Sequence, residues 1–447
     1  MNVASPRLLP ALVPFLIAAG LAGPAWGRCI DEEAVEMRGG SATQAPGDVQ
    51  APRMALQNMV REAIRRSHAI CAAKLLADAA EDDVRETKAQ RWPLATATAS
   101  VGGTGSESNG VDEGRGKQGR VSIGISAPLF DFGRISSLTD WRASLAEAAR
   151  LGELNAQEQV ALQTVSLAIE RSRYRLQAQV YQQYSRKMSC LVEALETIVR
   201  ADRGRTSELV QAQKTQQQAE MAFEQTTSMI RQIETRLRRF VGDELPNTDG
   251  MTSVLLNLPT LEEAVAEAER APDIAQLDKQ AEAAEHLASS VVAGQRPQVG
   301  WAINGTKIKG VGNSAQWSAA LNVNVPLFNA AHDPQADASR KRAEAARLQR
   351  AEALENRRFR MAEVYEQGLS SFDRARRVID VLRDSDRVRN FTLQQWQQLG
   401  RRSLFDVMAS ESEHYSLRVS YVNALYDGQQ ANALLRSLGS GVNAWLR

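Results

Sequence analysis

Side chains able to do chemistry are few in this sequence, and they stand apart from one another. The cysteines are Cys29, Cys71 and Cys190, and they form no metal or redox motif. The histidines, His68, His286, His332 and His414, are isolated from one another in the chain. No acid, nucleophile or ligand cluster stands at a spacing that catalysis could use, so no catalytic residue, cofactor or metal is expected. What remains is charge placed against charge. Arg402 lies four residues before Asp406, one helical turn away, where it can pair within its own helix or with a neighbouring one. Arg203, Arg205 and Arg401 form a second basic group beside Gly204 and Gly400.

The first residues set the compartment in which those charges work. Arg7 precedes an apolar run over residues 8–22, followed by small residues ending Ala25-Trp26-Gly27. That is the layout of a secretory signal peptide, with the cut expected after Gly27. The run is shorter than the ~20 apolar residues of a spanning helix, and Pro10 and Pro14 break it. Cys29 follows the cut, but Arg28 stands where a lipoprotein signal has a small residue, so no lipid anchor is expected. No later segment approaches a transmembrane helix. The mature chain is therefore either soluble in an exported compartment or inserted in an outer membrane as β-strands. A net charge of +1 offers nothing to nucleic acid.

Whatever holds the charges is built twice. The first half runs through Ile70, Gln90-Arg91-Trp92-Pro93, Pro128-Leu129-Phe130 and Gly204-Arg205-Thr206-Ser207. The second answers in the same order and at near-equal spacing with Ile274, Gln295-Arg296-Pro297, Pro326-Leu327-Phe328 and Gly400-Arg401-Arg402-Ser403. No proline falls between Pro128 and Pro246 or after Pro334, and a proline inside a helix costs roughly 3 kcal/mol. Apolar residues recur there at helical spacing, as in Leu191, Leu195, Ile198 and Val199, and in Val378, Val381, Leu382 and Val388. These stretches predict long helices, interrupted at Gly204 and Gly400, where a glycine followed by a serine three residues on suits a tight turn.

Just before each Pro-Leu-Phe the period falls to two. Val121, Ile123, Ile125 and Ala127 alternate with Ser122, Gly124 and Ser126; Trp317, Ala319, Leu321, Val323 and Val325 alternate with small or polar residues. Weaker partners precede them at residues 94–101 and 299–308, and glycine-rich loops are expected at 102–119 and 310–315. Each repeat thus holds one β-hairpin. Apolar-out, polar-in alternation over about 9–11 residues is the pattern of an outer-membrane strand. A half-buried hairpin of a soluble domain shows the same alternation, but if these hairpins lie in a membrane, four strands cannot close a barrel, which begins at about eight, and several chains must share one. The chain divides into a signal peptide (1–27), a linker (28–51), repeat 1 (52–245, hairpin about 93–130, tip near 204), a linker (246–260), repeat 2 (261–438, hairpin about 297–328, tip near 400) and a tail (439–447).

Duplication, hairpins capped by Pro-Leu-Phe and Gly-x-x-Ser turns together resemble the TolC family of outer-membrane efflux and secretion proteins, over residues 52–438. The most specific pieces are Ala127-Pro128-Leu129-Phe130-Asp131-Phe132-Gly133-Arg134 and Leu399-Gly400-Arg401-Arg402-Ser403-Leu404-Phe405-Asp406-Val407. The resemblance implies a mixed α/β membrane protein. It would be a homotrimer whose four strands per chain close one twelve-stranded β-barrel in outer-membrane lipid, continued by a long α-helical periplasmic barrel. It implies no enzyme, but a duct served by a periplasmic adaptor (membrane fusion protein) and an inner-membrane transporter of ABC type, or alternatively RND type. It places Asp406 at the constricted periplasmic gate and Arg402 where an arginine helps hold the gate closed. Gly204, Arg205, Ser207, Gly400, Arg401 and Ser403 become the adaptor-docking tips. Two gate acids of the family fall here at Ala409 and Val210, so the gate network is expected to be thinner here or to be supplied by Glu208, Glu411 and Glu413. Within the family the expected duty is type I secretion of a protein, toxin exporters of the adenylate cyclase-haemolysin kind included; the alternative is drug or metal efflux. The rival outside the family, a periplasmic coiled-coil scaffold, has no use for two hairpins of this pattern.

Overall fold

The computed structural model describes residues 50–108, 111–246, 250–311, 313–399 and 402–447. The signal peptide, nearly all of the first linker, and Gly400 and Arg401 lie outside the described residues. The duplication is visible in the element order. Repeat 1 comprises α1 (Gln50–Arg66), α2 (His68–Ala89), β1 (Leu94–Ser108), β2 (Val111–Phe130), α3 (Arg134–Ala201) and α4 (Thr206–Val241). Repeat 2 comprises α5 (Leu261–Ala268), α6 (Pro272–Gly294), β3 (Gln298–Gly310), β4 (Ser314–Asn324), α7 (His332–Leu399) and α8 (Leu404–Leu438), followed by a short α9 (Val442–Leu446).

The two proline-free stretches do form the long helices. Helices α3 and α7 each hold 68 residues, about 100 Å of helix. The chain turns from β2 into α3 on the Asp131-Phe132-Gly133 motif. Phe132 and Gly133 adopt positive φ, and the Asp131 carboxylate accepts the amide N–H groups of Gly133 (3.1 Å) and Ile135 (2.7 Å). Those are amides that the first turn of a helix leaves without a helical partner. Repeat 2 uses Asn329 in the same way, its side-chain oxygen accepting from the Ala331 amide at 2.9 Å. The exposed face of α7 is laced with ion pairs three residues apart, such as Arg376 with Asp373 and Arg383 with Asp380. Each contributes only tenths of a kcal/mol, so α7 depends on packing rather than on its surface charge.

The four strands form one antiparallel sheet in the order β1-β2-β3-β4. Strands β1 and β2 pair almost to their tips, from Leu94 with Ser126 to Ser108 with Val111, so most of the expected loop at 102–119 is strand. Glycines erased the alternation there, but a ladder is made by backbone groups and persists without side chains. In the second hairpin β3 runs to Gly310 and β4 begins at Ser314. A register irregularity falls beside Pro128, which has no N–H to give the ladder. In repeat 2, Pro326-Leu327-Phe328 lies beyond the end of β4.

Two large apolar cores among the described residues, with smaller ones beside them, hold the helices together. One joins Leu56, Met59 and Val60 of α1 to Val165 and Ile169 of α3, Leu237 of α4 and Tyr426 of α8. There the Tyr426 hydroxyl meets Ser172 at 2.8 Å, and burial pushes the phenol up to about 12. Helix α8 also pins the linker between the repeats: Gln429 donates to the carbonyls of Met251 and Val254, and Asn432 to those of Leu255 and Asn257. The other core, farther along the helices, packs Met188 and Leu195 of α3 against Ala212 of α4, Trp396 of α7, and Leu404 and Val407 of α8.

Candidate functional site

The two helical hairpins end in differently built turns. In repeat 1, α3 stops at Ala201 and the Asp202 carboxylate accepts the Gly204 amide at 2.9 Å, shaping a short 3-10 turn over Arg203–Arg205. Arg205 lies 3.8 Å from Asp202, and Thr206 donates to the Arg203 carbonyl at 2.7 Å. Ser207 sits exposed in the first turn of α4 and does not cap it; the cap position is Arg205. In repeat 2, Ser403 does cap. Its hydroxyl accepts the Asp406 amide at 3.3 Å while the Asp406 carboxylate accepts the Ser403 amide at 3.2 Å, a reciprocal capping box. Arg402 lies 3.8 Å from the same Asp406 oxygen and donates to Gln395 at 3.3 Å. The structure therefore brings Arg402, Ser403 and Asp406 together on an exposed turn.

Of the acids expected to supplement them, Glu413 is exposed and Glu208 half-buried in the first turn of α4. Glu411 is fully buried. Its carboxylate lies 3.6 Å from the guanidinium of Arg389 on α7 and 3.8 Å from the ammonium of Lys187 on α3. Arg389 is itself buried and pairs with Asp386 at 2.9 Å. Glu411 is thus a tie between three helices of one chain and not a carboxylate facing a pore. No motif announced it. The helical pattern puts Val388 on the apolar stripe of α7, but Val388 is exposed and its neighbour Arg389 is inside. Val381, Phe359, Leu348 and Phe391 are exposed on α7 as well, so that helix carries an apolar surface that no element of its own chain covers.

At the opposite end the sheet stands free. Among the described residues no helix packs across either face. Cross-strand partners share a face, so the register assigns the faces directly. One carries Val121, Ile123, Ile125 and Ala127 of β2, Val299, Trp301 and Ile303 of β3, and Trp317, Leu321 and Val323 of β4. The other carries Thr96, Thr98, Ser122, Asn304, Thr306, Gln316 and Ser318, with the Ser122 and Thr306 hydroxyls hydrogen-bonded at 3.1 Å. The apolar face is bare: Leu321 is 71% exposed and Trp317 84%. Both outer strands, β1 and β4, leave an unpaired edge. Among the described residues no group of His, Cys, Asp and Glu could hold a metal, and no helix is long and apolar enough to cross a membrane.

A long helical stalk carrying a free, two-faced sheet is a fold this chain shares with known outer-membrane channels. The family model described as outer membrane efflux protein matches residues 59–243. The fold is shared with CusC at TM-score 0.77 and 16% identity, over 87% of this chain and 92% of that one. It is shared with the outer-membrane channel OprN at 0.75 and 17%, over 88% and 91%, and with VceC of Vibrio cholerae at 0.74 and 17%, over 86% and 96%. No curated protein matches the chain. Residues 59–243 are thus similar to the outer membrane efflux protein family, and the chain as a whole shares the fold of these outer-membrane channels.

Proposed function

We propose that three copies of this chain form the outer-membrane duct of a tripartite export system, with the sheet in the membrane and the helices in the periplasm. The observation that carries this is the free sheet: one exposed apolar face, one polar face and two open edges. Open edges do not survive in lipid, because each unpaired backbone group there costs several kcal/mol. The strand directions alternate throughout, so β4 of one copy and β1 of the next continue the same antiparallel pattern, and three copies close twelve strands. The uncovered apolar residues of α7 support contact between copies along the stalk. Ile303 lies mid-way along the apolar band, so I303R is expected to destabilise the assembled protein by about 2–4 kcal/mol in a lipid environment. The measurement is the temperature at which the oligomer dissociates on a denaturing gel. An unchanged midpoint together with recovery in the soluble periplasmic fraction contradicts the reading.

The tips at Gly204, Arg205 and Ser207, and at Gly400, Arg401 and Ser403, are the proposed adaptor-docking ends, and Asp406 with Arg402 the proposed gate. The cargo we favour is a protein, exported with an ABC transporter as in type I secretion. Arg28 before Cys29 supports this, since it speaks against the lipid anchor used by many efflux channels of multidrug pumps. Small-molecule efflux with an RND transporter is the second reading, favoured by the efflux description of the matching family. A cysteine at Thr206 is expected to crosslink in intact cells to an adaptor encoded beside an ABC transporter. Capture of an RND adaptor selects the second reading, and crosslinks formed only from Gly103 put docking at the wrong end.

A further inference from the structure

The apolar face of the sheet does not remain apolar to its free end. Along β3 it runs Val299, Trp301, Ile303 and Gly305, and then carries Lys307 and Lys309. On β2 the same face continues past Val121 and Gly119 to Lys117. All three lysines are exposed. Nothing across the ladder neutralises them: Lys307 pairs with Val121 and Ala315, Lys309 with Gly119, and Lys117 with Gly103. Lys117 stands one strand over and two positions beyond the partner of Lys309, so Lys309 lies between the other two, roughly 7 Å from Lys307 and roughly 8 Å from Lys117, with the outer pair about 14 Å apart. Trp317, opposite Gly305, lies one level closer to the helices.

A lysine on a lipid-facing surface costs about 2–4 kcal/mol at the bilayer midplane and close to nothing at the interface. Three on one face, at the end remote from the helices and just past a tryptophan, therefore mark the level of the headgroups. Three ammonium groups without carboxylate partners across the ladder form an anion site whose floor is apolar, and the ligand that meets both features is a lipid with phosphate in its headgroup.

We propose that Lys117, Lys307 and Lys309 bind the phosphate of an anionic lipid headgroup in the leaflet at the free end of the hairpins, with its chains along the face of Val121, Ile303 and Trp317. This rests on the reading of the sheet as membrane-embedded. The test uses the full-length protein in phosphatidylcholine nanodiscs doped with diphosphoryl lipid A, and measures the lipid A co-purifying with each chain. The wild type is expected to enrich it, and K117Q/K307Q/K309Q to lower the enrichment by about tenfold or more, each lysine near an anionic surface being worth roughly fivefold. Lipid A stripped of its phosphates should not be enriched by either protein. Equal enrichment by wild type and variant, or equal enrichment of the phosphate-free lipid, overturns the proposal while leaving the membrane reading intact. A wild-type protein that does not insert at all overturns both.

Discussion

Asp406 has two partners that compete to explain it. Its carboxylate closes the capping box with Ser403 and stands within 3.8 Å of Arg402, and either contact suits an ordinary helix start. A threefold axis adds what one chain lacks, because three copies of the side chain would converge on the channel mouth and attract a cation. Asp406→Asn separates the two roles, since the amide oxygen can still accept the Ser403 N–H while the charge is gone. In planar bilayers the substitution is expected to abolish block by a multivalent cation added on the periplasmic side, and Arg402→Ala to raise conductance by loosening the closed tip. Unchanged block and unchanged conductance would return Asp406 to being a helix cap. The sequence could expose Arg402 and Asp406 because they stand on a motif. Ser403 caps α8 while Ser207 leaves α4 uncapped because the third residue on is Asp406 in one repeat and Val210 in the other, a difference the sequence does carry; the Asp202 turn of repeat 1 it did not announce.

The elements themselves were the most legible level. Proline spacing bounds α3 and α7, and alternation finds the core of each hairpin; both signals come from local backbone chemistry. Strand length was not legible, because Gly102, Gly103, Gly116 and Gly119 carry no side chains to alternate. Nor was the phase of α7. Which of Val388 and Arg389 points inward depends on what lies opposite, and opposite Arg389 lies Glu411 of α8. That buried charge ties α3, α7 and α8 near the tip. Removing the carboxylate by E411A leaves Arg389 and Lys187 inside without it, which is expected to cost about 3–5 kcal/mol. Urea unfolding of the detergent-solubilised protein reads this as a lowered midpoint, with limited proteolysis appearing first in the helical tip. A midpoint equal to wild type would mean that solvent reaches the cluster and the tie is weak.

At the scale of the whole molecule a single chain is unfinished. Its sheet has two open edges and two bare faces, and α7 exposes Leu348, Phe359, Val388 and Phe391. In the proposed trimer each of these deficits would be met by further copies of the chain and by lipid. Cross-strand pairs make the continuous apolar face, and closing the sheet would put its polar face on a lumen. A generic polar lumen does not encode a cargo, which is why the fold was readable in the sequence and the exported substrate was not. Pairing of β1 from one copy with β4 from the next tests the account most directly. With the native cysteines replaced, cysteines at Thr98 and Gln316 should be joined by a short bifunctional crosslinker in isolated outer membranes. The account predicts covalent dimers and trimers on a denaturing gel, absent when either cysteine is present alone. Only monomers, with or without the crosslinker, from a protein whose single-cysteine forms are shown to react, would contradict it.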